Sequence, residues 1–179
     1  MSKMEDLKEY IDPKNWECLN AQKQHQLPNA LFKDRDDEKK VLKSDSDAQL
    51  LIRITFGAFV KIKAIKITAP TDSGPSSIKL FVNPGSLEFE GAEEEEPTQE
   101  IKLEQDDLKK DAKPKTVKLV KFSKVSTLVI FVPENHDDAD QTVIQGIQIL
   151  GKTSIISGNK PSLAQQKAAA QGDWLNTSR

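Results

Sequence analysis

Between Leu50 and Thr68 the chain reads LLIRITFGAFVKIKAIKIT, with apolar residues at almost every second position. A period of two sends successive side chains to opposite faces, so this run buries one face only as extended β structure. Leu50, Ile52, Ile54 and Phe56 share one face, and Leu51, Arg53 and Thr55 share the other. Gly57 and Ala58 interrupt the pattern and divide it into two predicted strands. In the second strand Val60, Ile62 and Ala64 point inward, with Lys61 and Lys63 outward. The phase then slips, because Ile65 and Ile67 carry the apolar character, and a β-bulge or bend is predicted at Ala64–Ile65.

Strand-like runs recur downstream as IKLFVN, KTVKLVKFS, STLVIFVPEN and TVIQGIQILG, with the turn-rich TAPTDSGPSS before the first of them. LEFEG reads as a short strand, AEEEEPTQ as a loop of repelling carboxylates, and EIKLEQDDLKK as a strand followed by a helical turn. Ahead of the strands, Met4, Leu7 and Ile11 predict a short amphipathic helix ending before Pro13. A polar connector follows, with Leu31 and Phe32 as an apolar plug. The polar tail after Gly151 is helix-prone from Leu163 to Ala170 and is expected to be loosely attached. Short strands without long helical patterns point to an all-β antiparallel sandwich or barrel. Its expected core is Ile52, Ile54, Val60, Ile62, Leu80, Val82, Leu128, Ile130, Ile147 and Ile149.

At 179 residues the chain suits one domain. A net charge of -2 gives no global basic field for nucleic acid or anionic lipid. No apolar run is long enough to span a bilayer, and the first ten residues lack the apolar stretch of a signal peptide. Cys18 as the single cysteine excludes an intrachain disulfide and suits a reducing cytoplasmic or nuclear compartment; a monomer is expected.

Candidate chemistry is sparse. Asp45 and Asp47 stand just before the long alternating run, but a calcium loop counted from Asp45 would need a glutamate where Phe56 stands. They read instead as short acids satisfying backbone N–H groups at the start of a strand. His25 and His136 lack companions at ligand spacing, and Cys18 lacks both a second cysteine and a nearby base. No phosphate loop, nucleophile elbow or dinucleotide fingerprint occurs, so no enzymatic activity, cofactor or metal is expected. The lysines between Lys109 and Lys124 read as a solvated strand face, with Phe122 turned to the core. Glu93, Glu94, Glu95 and Glu96 form an unbroken anionic run, read either as a solvated loop or as a docking patch for a basic partner.

Seven separated segments, WECLN, LKSDSDAQLLIRITF, VKIKAIKI, GPSSIKLFVN, LEFEGAEEEEPTQEIKL, VKFSKVSTLVIFVPEN and IQILG, together resemble the PITH domain, a proteasome-interacting module. The resemblance runs from about Asp6 to Gly151, with residues 152–179 as a tail. It implies a jelly-roll β-sandwich similar to galactose-binding-like domains, and association with the regulatory particle of the 26S proteasome. Within it, Cys18, Leu19, Asn20, Ser44, Asp45, Asp47 and Gln49 form a structural signature. Thioredoxin-like relatives carry a CxxC motif that this chain lacks, so their oxidoreductase activity does not transfer. The implied architecture also raises a small-ligand or carbohydrate-binding module as an alternative, although Trp16, Trp174 and Tyr10 lie outside the strand body.

Overall fold

The computed structural model describes residues 3–32 and 39–153. The helix-prone stretch expected at Leu163–Ala170 lies outside the described residues. The long alternating run forms one continuous strand, β4 (Leu50–Thr68), rather than two. Gly57 and Ala58 leave it unbroken, but its pairing with β8 (Val125–Val132) shifts register between Thr55 and Val60. There β4 changes neighbours within a single curled sheet. Its first half lies between β2 (Ile11–Leu19) and β8. Its second half pairs with β10 (Gly146–Thr153) and with the short β7 (Lys115–Thr116).

The predicted phase slip is a bulge. Leu150 lies opposite Ala64 and Gly151 opposite Ile62, so Lys63 is the extra residue. Beyond it Ile65 and Ile67 take over the buried phase. Gly151 is required here, since a Cβ on it would sit 1.9 Å from the Lys61 carbonyl oxygen.

Around β4 the strands run β1-β10-β4-β8-β5-β6, where β1 is Glu5–Asp6, β5 is Ser77–Val82 and β6 is Gln99–Lys102. This sheet curls over a core that includes Ile52, Ile54, Val60, Ile62, Leu80, Leu128, Ile130, Ile147 and Ile149. Val82 is half-buried at its margin. β3 (Leu42–Lys43) and β9 (Val143–Ile144) form a separate two-stranded ribbon. Leu31, at the end of α1 (Pro28–Leu31), is buried in the main core, and Phe32 packs against it.

Four local expectations are corrected. The N-terminal helix is a single 3-10 turn over Leu7–Tyr10, because flanking strands already fix the chain direction. Pro13 sits inside β2, where pairing with β4 skips from Ile11 to Trp16 and no ladder bond is lost. LEFEG is no strand: Phe89–Glu94 form α2, and the acidic run begins on this helix instead of in a loop. KTVKLVKFS pairs only at Lys115–Thr116; the rest turns outward and leaves Leu119 and Val120 exposed, although Phe122 is fully buried.

Candidate functional site

Asn20, at the end of β2, has φ 69°, a left-handed conformation that asparagine tolerates better than most residues. This turn aims its side chain across the chain at the approach to β4. Its amide donates to Asp47 Oδ1 at 2.9 Å and to the Gln49 carbonyl at 2.7 Å. Its Oδ1 accepts from Ser46 N at 3.0 Å, and its backbone carbonyl accepts from Asp45 N at 2.8 Å. Asp47 closes the turn by accepting from Gln49 N at 2.9 Å. Thus the Asp47 carboxylate is held between the Asn20 amide and the Gln49 backbone, whereas Asp45 contributes its backbone.

Ser44 is buried beside this latch. Its Oγ accepts from Thr142 N at 2.8 Å, and Thr142 Oγ1 donates to the Ala48 carbonyl at 2.6 Å. Residues far apart in sequence are thereby joined, and the direction in which β4 starts is set. Cys18 and Leu19 lie opposite Ile52 and Leu51 on the adjoining ladder. Burial, helped by the neighbouring Glu17 charge, pushes the Cys18 thiol up to about 12, so little thiolate forms at neutral pH. Among the described residues no group of three or more His, Cys, Asp or Glu side chains is arranged to hold a metal. His136 is tied to the Leu103 carbonyl at 2.8 Å.

Gln49 leads from the latch to the acidic run, donating to Glu93 Oε1 at 2.7 Å. Glu93 and Glu94 end α2, Glu95 caps it, and Glu96 precedes Pro97; all four are exposed. The helix packs on the outer face of the sheet through Phe89, whose ring meets Phe131 edge-on at 6.2 Å, and through the buried Ala92. Beneath it Leu51, Phe81, Leu87, Val129 and Phe131 form a second apolar cluster. A groove of about 460 Å³ opens beside this cluster, floored by Leu19, Leu51 and Val129 and flanked by Arg53, Glu17 and Glu88. Arg53 donates to the Gly85 carbonyl at 3.1 Å, which holds the groove wall in place. The family resemblance placed Asn20 in the signature, but its role as a pivot was not readable, because its side-chain partners lie 26 to 29 positions away, and nothing in the sequence marked the groove.

The profile of the PITH domain matches residues 1–170. The chain belongs to the PITH domain family. Thioredoxin-like protein 1 of Schizosaccharomyces pombe is 38% identical to it over 151 residues, covering 79% of this chain and 49% of that protein. PITH domain-containing protein 1 of Homo sapiens is 31% identical over 164 residues, covering 89% and 75% of the two chains. This PITH domain therefore spans about half the length of its S. pombe relative.

Solved structures agree on the architecture. The family 32 carbohydrate-binding module of C. perfringens NanJ, in complex with galactose, superposes with a TM-score of 0.58 at 12% identity, covering 83% of this chain and 99% of that one. A fucolectin from striped bass serum gives 0.56 at 9% identity, covering 88% and 52%. The PITH domain has the galactose-binding-like jelly-roll fold, and likeness at this identity shows fold alone.

Proposed function

We propose that this PITH domain is a non-catalytic protein-interaction module that associates with the regulatory particle of the 26S proteasome, as a monomer in the cytoplasm or nucleus. The family match over residues 1–170 carries this reading, since the family takes its name from interaction with the proteasome. Geometry supports it at the acidic run. Glu93 and Glu94 occupy the last turn of α2, where the helix dipole favours cations. Among the described residues, Glu93 is bonded by Gln49, and no bond to the other three carboxylates gives folding a reason for them. A basic partner surface would relieve their repulsion and speed encounter.

Affinity purification of the tagged chain should co-enrich regulatory-particle subunits, and their absence would defeat the reading. Changing Glu93, Glu94, Glu95 and Glu96 to Gln should remove most low-salt binding to purified proteasome with little change in melting temperature. Unaltered binding would take the run out of the interface. The sugar-binding alternative rests on the galactose complex of a structural neighbour. Against it, no aromatic side chain among the described residues lines the groove to stack on a sugar ring. Titration with millimolar galactose, followed by NMR, should leave the groove resonances in place.

A further inference from the structure

The charge of this chain is sharply divided along its length. Residues 86–107 hold ten carboxylates against one lysine, whereas residues 57–68 and 113–127 together hold eight lysines and no carboxylate. The net charge of -2 hides this separation. Three of the four exposed large hydrophobic residues among those described fall in the two basic segments: Phe59 at 43%, Leu119 at 49% and Val120 at 88% exposure.

The fold brings these segments side by side. Val117 N donates to the Lys63 carbonyl at 3.1 Å, Ile62 N to the Phe122 carbonyl at 2.9 Å, and Val125 pairs with Val60. Between those anchors the chain turns tightly, with Lys121 N donating to the Lys118 carbonyl at 3.0 Å. Ser123 Oγ braces the turn on the Val120 carbonyl, also at 3.0 Å. Phe122 is fully buried and fixes the base, so Leu119 and Val120 are held out at the apex by an ordered support. Lys118 and Lys121 flank them in sequence, and Lys124 Nζ lies 4.7 Å from the Phe59 ring centroid. Val120 and half of Leu119 leave apolar surface in water on an ordered tip, as a binding anchor does.

We infer that the Lys118–Lys124 tip is a docking anchor, whose Leu119 and Val120 enter an apolar pocket on a partner protein rimmed by carboxylates. This rests on the proteasome reading and adds a second surface of opposite charge to the acidic run. Charge complementarity selects an acidic rim. The apolar apex, carrying no aromatic platform of its own, selects a protein pocket over single-stranded nucleic acid. Membrane-surface binders place Trp, Phe or long amphipathic stretches at the lipid boundary, and a two-residue aliphatic apex suits a pocket better.

The test measures binding of the N-terminally labelled full chain to purified 26S proteasome by fluorescence anisotropy, with melting temperature as the folding control. Leu119→Ser with Val120→Ser should weaken binding about ten- to hundredfold at unchanged melting temperature. Lys118→Glu with Lys121→Glu should weaken it similarly at low salt and flatten the salt dependence. If the wild-type chain binds and both variants match it, the anchor is overturned while the proteasome reading stands. If the wild-type chain does not bind, both are overturned. Tip-dependent binding to phosphatidylserine vesicles or to an RNA homopolymer, without tip-dependent binding to proteasome, would also overturn the protein-pocket assignment.

Discussion

Replacing Asn20 probes how much of the fold hangs on one left-handed residue. Asn20→Ala removes three short side-chain hydrogen bonds, to Asp47 Oδ1, the Gln49 carbonyl and Ser46 N, at 2.9, 2.7 and 3.0 Å, and a long one to the Asp47 carbonyl at 3.4 Å that adds little. The site is partly exposed, so each short bond is valued near the bottom of the usual range, about 0.5 kcal/mol, or about 1.5 kcal/mol together. Alanine must also hold the φ of 69°, which costs about 1 kcal/mol more. The sum, about 2.5 kcal/mol, corresponds to a fall in melting temperature of about 5–10 °C for a domain of this size. Asn20→Gly loses the same bonds without the backbone cost and should melt above the alanine variant, less the extra freedom glycine gives the unfolded chain. Asn20→Asp keeps the acceptor for Ser46 but turns a second carboxylate oxygen on Asp47, and should be no better than alanine. The assay is thermal unfolding by circular dichroism and calorimetry at neutral pH. Equal melting of the alanine and glycine variants would refute the conformational part of the reasoning. An aspartate variant as stable as wild type would refute the hydrogen-bonding part.

Gly151→Ala forces a methyl group to within 1.9 Å of the Lys61 carbonyl oxygen. It should destabilise by about 1–3 kcal/mol or prevent folding, as read by urea unfolding. Cys18, with its thiol pushed up to about 12, should react with a disulfide reagent at pH 8 about a thousandfold more slowly than a free cysteine, and unfolding in urea should abolish the difference. Burial pushes the Asp107 carboxyl up, but hydrogen bonds from Lys115 and the Glu104 N–H and the Lys115 charge outweigh it and hold it below its ordinary value. Its stabilisation is therefore present above the unfolded carboxylate pKa near about 3.9 and fades as pH falls through the lower folded value. Asp107→Asn should cost less than about 1 kcal/mol at neutral pH, and the gap from wild type should close under acid.

Alternation made most of β4 legible from its residues, although it was read as two strands, and the slip at Ala64–Ile65 was readable because the buried phase changes there. β5 and β8 carry apolar residues on both phases, yet Leu80, Leu128 and Ile130 were placed correctly in the main core. Phe81, Val129 and Phe131 are apolar on the outward phase because α2 covers them, and that cover is a tertiary fact. α2 itself was hidden, since FEGAEE holds a glycine and a carboxylate run, and it exists because Phe89 and Ala92 find an apolar surface to lie on. KTVKLVKFS alternates like a strand, yet its ladder pairing stops at Lys115–Thr116, with only single backbone bonds at Val117 and Phe122 beyond it. At the latch, Asp47 was readable as a turn-forming acid and Asn20 stood in the family signature, but the bond between them spans 27 positions and was not readable.

A strand that pairs with neighbours from both ends of the chain also has a consequence during synthesis. β4 is complete at Thr68, but its neighbour β10 ends at Thr153, which is 153 − 68 = 85 residues later. At about 5–20 residues per second, the ribosome leaves β4 waiting roughly 4–17 s for that neighbour. A 19-residue apolar strand with open edges is, for that interval, a template for pairing with other nascent chains. Arg53, Lys61, Lys63 and Lys66 punctuate its length, and charges so placed oppose edge-to-edge association. These four cations thus act before the native state exists, keeping the longest strand soluble until its partners emerge.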